Sequence, residues 1–313
     1  MERAMIRLSR YAHLSRRESL MLGAGAALAP ILSPVPALAT DKPLLKRPIP
    51  HGGETIPVIG LGTANGFDDA ARADLEAVIR ALLEQGGTAI DTAPSYGNAE
   101  SVIGEILVAQ NARAKTFVST KLEDYRPGGI AAEAQGCLTR LKTNKLDLLH
   151  LHNVRDPKQS LAELNALKAK GLIRYHGITT TFERAYDAAE AIVRREKPDF
   201  LEVDYAIDNR EAENRLLPAA QDSGTAVMVA LPFGRGRLFR DVLKKPLPDF
   251  AAEIDCASWA QFFLKFILGH PAVTVAIPGT SNPAHMIDNV AGGRGAVPDA
   301  KMRARMAQYV AGI

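Results

Sequence analysis

From residue 56 onward, short apolar runs alternate with amphipathic stretches, and this alternation restricts the chain to a parallel α/β architecture. The runs begin near Val58, Thr88, Thr116, Leu146, Tyr175, Phe200, Ala226 and Val273. Some are apolar at every position, as in Ala226-Val227-Met228-Val229-Ala230-Leu231, a pattern expected of strands covered on both faces. Between them lie stretches such as Asp69 to Gln85, where Leu75, Val78, Ile79, Leu82 and Leu83 share one helical stripe. Strand starts recur every 25–30 residues or so, about the length of one βα unit. The last interval is longer and holds an insertion from Gly234 to about Asp255. Eight such units in roughly 250 residues predict an α/β fold of the closed (β/α)8 TIM-barrel type. The alternative is an open doubly wound sheet. Against it, Gly60-Leu61-Gly62-Thr63-Ala64-Asn65-Gly66 lacks the G-x-G-x-x-G spacing at the first strand–helix turn. His51-Gly52-Gly53 predicts the turn of an N-terminal hairpin plugging the barrel bottom. Asp299 to Val310 predicts an extra C-terminal helix with Met302, Met306 and Val310 on one face.

Residues 1–39 read as a separate segment, and residues 40–313 as a single barrel domain. Ser15-Arg16-Arg17-Glu18-Ser19-Leu20 opens a stretch of small and apolar residues that ends in Pro36-Ala37-Leu38-Ala39, an A-x-A cleavage site before Thr40. Pro30, Pro34 and Pro36 make a poor spanning helix, so an export signal is favoured over an anchor. The paired arginines resemble the twin-arginine signal, a route known for carrying folded proteins. The expected location is therefore periplasmic or otherwise exported, with the twin-arginine machinery as a partner and no stable membrane insertion after cleavage. The chain's net charge of +3 resides in this segment, which holds five arginines and two glutamates. The remainder is neutral and offers no electrostatic footprint for nucleic acid. Cys137 and Cys256 are the only cysteines and imply no disulfide framework. A monomer is the default expectation.

In a barrel of this kind the active site lies at the C-terminal ends of the strands, and four chemically distinctive residues stand there. Asp91 closes Thr88-Ala89-Ile90-Asp91. Tyr96 follows in the next loop. Lys121 ends Phe117-Val118-Ser119-Thr120-Lys121, and His152 ends Leu148-Leu149-His150-Leu151-His152. The strands are consecutive, hence neighbours about 4.8 Å apart, so the four groups converge on one rim. A free phenol ionises near pH 10. A lysine ammonium beside Tyr96 is expected to lower that value, and Asp91 to keep the ammonium charged. Tyr96 then protonates a carbonyl oxygen as hydride reaches its carbon, while His152 orients that oxygen.

The segment Asp91-Thr-Ala-Pro-Ser-Tyr96-Gly97-Asn98-Ala-Glu100-Ser-Val-Ile-Gly104 resembles the signature of the aldo-keto reductases. So do Gly60-Leu-Gly62-Thr63, Ser119-Thr-Lys121, Leu146-Asp147-Leu-Leu-His-Leu-His152 and Gly171-Leu-Ile-Arg-Tyr-His-Gly177-Ile, in order, from about Pro57 to Asn289. The resemblance implies a barrel that binds NADP(H), or less often NAD(H), in extended form, with Asp91, Tyr96, Lys121 and His152 as a catalytic tetrad and a small carbonyl or alcohol substrate. It assigns Gly62 and Thr63 to the cofactor site, with Thr179 and Thr180 where the family holds the nicotinamide carboxamide by Ser-Asn and Glu202 where it carries Gln. An aromatic ring usually stacks on the nicotinamide; that position is Ala230, with Phe233 as a substitute. Pro232, Phe233, Gly234 and Arg237 lie in a Gly-rich loop at the same rim, which reads either as a reach of its arginines to the pyrophosphate or as a solvated turn. Gly279 and His285 stand where a Lys and an Arg often grip the 2′-phosphate. Thr280, Ser281 and Asn289 complete the nucleotide set. Asn282 and Pro283 read as the N-cap and first residue of a helix whose free N–H groups bind phosphate. NADP(H) is favoured over NAD(H).

Two other classes fit parts of the pattern. The pair His150-x-His152, with His176, Asp91 and Lys121, resembles a metal-dependent hydrolase barrel, but the order along the chain differs and Tyr96 would be idle. A non-catalytic nucleotide-sensing barrel would bind the nucleotide without turnover. The specificity loops are residues 234–256 and the C-terminal segment; Arg126, Trp259 and Phe262 are further pocket candidates.

Overall fold

The computed structural model describes residues 42–313 apart from 65, 68–70, 124–127 and 243. The signal read in residues 1–39, its cut after Ala39, the helix start at Asp69, and Arg126 lie outside the described residues. A hairpin of β1 (Lys46–Pro48) and β2 (Thr55–Pro57) comes first. Eight parallel strands follow: β3 (Leu61–Gly62), β4 (Ala89–Asp91), β5 (Phe117–Leu122), β6 (Leu146–Leu151), β7 (Ile173–Thr180), β8 (Phe200–Asp204), β9 (Ala226–Ala230) and β10 (Val273–Ala276). Each pairs with the next in sequence. Single parallel bridges, Ile59 to Ala276 and Gly62 to Gly279, join the first strand to the last and close the (β/α)8 ring. A Cβ on Gly62 would lie 2.7 Å from the Ile277 carbonyl oxygen, so this seam needs a residue without one.

The helices are α1 (Arg72–Glu84), α2 (Ala99–Ala109), α3 (Gly129–Arg140), α4 (Ala162–Ala169), α5 (Tyr186–Glu196), α6 (Leu216–Ser223), α7 (Arg237–Asp241), α8 (Trp259–Leu268), α9 (Pro283–Ala291) and α10 (Ala300–Ala311). The α1 stripe is buried through Leu75, Val78, Ile79 and Leu82. Asn282 caps α9 by accepting from the Ala284 N–H, and Asp299 caps α10 by accepting from Met302. Met306 of α10 is fully buried, while Met302 and Val310 are partly so. The insertion after β9 folds as α7 flanked by short 3-10 turns, Gly234–Gly236 and Asp249–Ile254. Trp259 and Phe262 pack on each other in α8, the tryptophan also against Tyr309.

Two apolar layers result. The outer one lies between helices and sheet. The inner one fills the lower barrel with Ala89, Phe117, Leu148, Tyr175, Phe200, Ala226, Met228 and Val275, and the hairpin adds Ile49 and Ile56 to it. The hairpin therefore plugs the bottom. Arg47 fixes it there by donating to the carbonyls of Leu268, His270 and Val273. The first barrel strand is shorter than the apolar run from Val58 predicts. The Val58 N–H is spent on Leu45 of the hairpin strap, so only Leu61 and Gly62 pair with β4.

Candidate active site

Side chains alternate along each strand, so the residues above the inner apolar layer also point into the barrel. On β4, β5, β6 and β8 these are Asp91, Lys121, His150 and Glu202, and all four are buried. Lys121 donates to Asp91 Oδ2 and, at 3.1 Å, to the Thr92 carbonyl. Its Nζ is also 3.3 Å from Glu202 Oε2, and that oxygen meets His150 Nδ1 at 3.2 Å. His150 and Glu202 are two strands apart, with Gly177 of β7 between them. A Cβ on Gly177 would lie 2.4 Å from His150 Cδ2 and 2.6 Å from the Phe200 carbonyl oxygen. The glycine is therefore the gap through which the imidazole reaches across β7.

Tyr96 enters from the loop after β4. The Lys121 nitrogen stands 5.2 Å from its ring centroid, near enough for the ammonium's charge to favour the phenolate. His152 lies just past β6 with its ring edge towards Tyr96, centroids 6.2 Å apart. Its Nδ1 is 2.5 Å from Glu123 Oε1. A cavity lined by Glu123, His152, Asn153, Arg155, Asp156 and Gln159 opens beside the imidazole. The structure thus brings Asp91, Tyr96, Lys121 and His152 onto one rim.

The electrostatics differ from the expectation in one respect. Burial pushes the Tyr96 phenol up to about 12; Lys121 pulls it down, but Asp91 and Glu202 push it up again. The expected acidification is therefore reversed on balance, chiefly because the phenol is buried and secondly because two carboxylates oppose the ammonium's pull. Burial alone would lower Lys121, yet Asp91 and Glu202 outweigh it and raise it. Burial and the charge of Glu202 raise Asp91 against the pull of Lys121. Burial works the same way on Glu202, but Lys121 and His150 together hold its carboxyl below the usual range. Burial lowers both His150 and His152, helped at His152 by Lys121. Both imidazoles are therefore neutral at neutral pH.

The residues assigned to nucleotide binding fall into distinct settings. Thr63 is buried, and its hydroxyl and N–H both donate to the Asp91 carbonyl. Thr179 accepts from the Asn153 N–H and Thr180 donates to the Phe182 carbonyl. Gly62 and Gly279 meet at the barrel seam. Pro232 and Gly234 are buried at the start of the loop after β9, and Phe233 packs on Phe239 with centroids 4.9 Å apart. Arg237 is turned onto Asp208, Nε to Oδ2 at 2.5 Å. Thr280, Ser281 and exposed His285 flank the N-terminus of α9, and Asn289 is buried on its inner face. The positive end of that helix and the hydroxyls of Thr280 and Ser281 suit a phosphate, although the Ala284 and Met286 N–H groups are already spent on Asn282. Among the named residues, these fit a dinucleotide's charged tail without a lysine.

The metal reading meets a geometric obstacle. His176 turns away from the rim to Asn165 and Asp199. Ligand atoms of Asp91, His150 and Glu202 do lie within 4.8 Å of one another, but the Lys121 ammonium bonds both carboxylates. The positive charge in that space is an amine's.

A model of the Aldo/keto reductase family matches residues 58–304. The chain belongs to the aldo/keto reductase family. It is thus an oxidoreductase of a family that acts on carbonyl groups. This reductase is 32% identical over 248 residues to methylglyoxal reductase YeaE of Escherichia coli (strain K12), an alignment covering 77% of this chain and 86% of that one. It is 28% identical over 240 residues to an NADH-specific methylglyoxal reductase of the same organism, covering 66% and 72%. Among solved structures it is similar to an aldo/keto reductase from Klebsiella pneumoniae in complex with NADP and acetate. There the TM-score is 0.69 and the identity 27%, over 82% of this chain and 93% of that one.

Three neighbours of the tetrad escaped the sequence reading of this reductase. Glu123 on His152 had no motif to flag it. His150 was weighed only as a metal ligand and Glu202 only as a holder of the carboxamide. Their meeting is written in strand register: Lys121 is opposite His150, and His150 opposite Gly177. A glycine on a buried strand between two polar residues is the signal that marks it.

Proposed function

We propose that this chain reduces a small aldehyde or ketone to an alcohol, with hydride from a nicotinamide dinucleotide and the proton from Tyr96. The observation that carries this reading is the placing of Tyr96 between the Lys121 ammonium, 5.2 Å from its ring centroid, and the His152 imidazole, which lines a polar cavity. Bound NAD(P)H supplies the hydride. Tyr96 gives its proton to the carbonyl oxygen, and Lys121 stabilises the phenolate left behind. His152, held by Glu123, positions the oxygen. Solvent returns the proton to Tyr96 after the alcohol leaves. NADP(H) is the preferred nucleotide, supported by the α9 N-terminus with its hydroxyls and by the NADP named with the Klebsiella relative. Two relatives are named for methylglyoxal, so a 2-oxoaldehyde heads the substrate panel.

The test is consumption of NADPH and of NADH with a panel of 2-oxoaldehydes, simple aldehydes and ketones, comparing wild type with Tyr96→Phe. Turnover that falls about 100-fold or more in the variant is expected. Equal rates in the two proteins would remove the proton donor. Nucleotide binding with no turnover of any carbonyl would favour a sensing role instead, and an NADH preference would reverse the nucleotide assignment.

A further inference from the structure

Lys121 has one counter-ion more than it needs. Asp91 alone balances the ammonium, yet Glu202 Oε2 also stands 3.3 Å from Nζ, and Lys121, Asp91 and Glu202 are each no more than 3% exposed. His150 bonds the same Glu202 oxygen, but as a neutral imidazole it contributes a hydrogen bond and no charge. A buried ion pair with a surplus carboxylate is costly unless the surplus does something. Among the described residues, the charged or titratable groups facing Tyr96 and this cluster are Asp91 from β4, Lys121 from β5, His150 from β6, His152 with its partner Glu123 just beyond, and Glu202 from β8. Thr179 of β7 and Met228 of β9 are the register neighbours of Glu202 and carry no charge.

We propose that Glu202 is a second counter-ion of Lys121 that keeps the proton on Tyr96, so that the site donates protons to carbonyls over a broad pH range and accepts them from alcohols only under strongly alkaline conditions. At the alkaline pH where a phenol ionises, both carboxylates are charged. The cluster around Tyr96 then carries one more negative charge than Lys121 cancels, which opposes formation of a phenolate. Reduction needs the phenol and oxidation needs the phenolate, so the surplus carboxylate moves to higher pH the range in which the oxidising form of the site is populated. Glu202 acts through Lys121 and is a positioning residue for its charge. This inference deepens the proposed function and rests on Tyr96 as the proton donor.

The experiment is an ultraviolet tyrosinate titration of the full chain without nucleotide. Subtracting the curve of Tyr96→Phe isolates Tyr96, and the pair is measured again in a Glu202→Gln background. Glutamine keeps the shape and an acceptor for His150 while removing the charge. The Tyr96 midpoint is expected to fall by about one pH unit or more. Coincident midpoints would overturn the proposal. If Glu202→Gln does not fold, Glu202→Asp, which draws the carboxylate back from Lys121, is expected to move the midpoint the same way by less; no movement there would also overturn it. A parallel measurement follows the pH profile of kcat for alcohol oxidation, whose alkaline rise is expected to move about one pH unit towards neutrality in Glu202→Gln. An unmoved profile in a protein that turns over would overturn the claim about pH range. The titration needs no substrate, so a shifted midpoint in a protein that reduces nothing would retire the proposed function and leave the counter-ion standing.

Discussion

A buried lysine needs a counter-charge and hydrogen-bond acceptors, and Lys121 finds both in Asp91, Glu202 and the Thr92 carbonyl. Removing it leaves two carboxylates facing each other in a dry site. Lys121→Met is therefore expected to cost about 3–5 kcal/mol of stability at mildly alkaline pH. The sign of the pH effect follows from linkage. Without the ammonium, the folded carboxyls hold protons that the unfolded chain has already released, so stability falls as pH rises above the ordinary carboxylate range and recovers on acidification. Urea denaturation of the variant at pH 8 and pH 5 checks this; equal penalties at both would mean the carboxylates were not left charged. At this scale the sequence was half legible. Asp91, Tyr96, Lys121 and His152 stand at or near the ends of consecutive strands, where order along the chain predicts proximity. The Glu202–His150 contact crosses a strand through Gly177, and only the register reveals which side chains meet across such a gap. The net effect on Tyr96 was missed because the depth at which a loop tyrosine is buried is set by tertiary packing, as is the number of carboxylates that oppose the lysine's pull.

Among the elements, α9 bears most directly on the nucleotide. Asn282 accepts from the Ala284 N–H and Pro283 sets the first turn. Asn282→Ala is expected to lower stability by about 0.5–2 kcal/mol through loss of the cap. It also loosens the end proposed to hold phosphate, so NADPH affinity should drop while the acidity of Tyr96 stays put. Thermal unfolding together with nucleotide fluorescence titration checks both; unchanged NADPH affinity would detach α9 from the nucleotide. Caps are easy to read because they rest on local chemistry, and Asn282 and the hairpin turn were readable in advance, while Asp299 was read as the start of its helix and proves to be the cap. The first barrel strand was not. Its apolar run is shared between the ring and the hairpin strap, where the Val58 N–H bonds Leu45, and a hydrophobic stretch does not record which partner claims its backbone. The loop after β9 was legible as an insertion but not in its partners: Arg237 pairs with Asp208 and Phe233 with Phe239, both set by tertiary neighbours.

For the molecule as a whole, the alternation of runs carried the architecture, because eight repeats of one unit leave few ways to bury both faces of every strand. The same regularity hides how the ring is fastened. Its first and last strands meet through the bridges at Ile59 and Gly62, where Gly60 and Gly62 donate to Ala276 and Pro278, whereas β5 to β8 share continuous ladders. A hoop stitched so sparsely at one join gives way there first. Deuterium should reach the amides of Gly60 and Gly62 well before those of β6 and β7; equal uptake would show the join to be as firm as the rest. The chain from Gly279 to Asn282, which carries the α9 anchor, springs from that very join. A dinucleotide gripping it would act as a clasp, slowing exchange at the two glycines and tying occupancy of the tail to the tightness of the whole hoop.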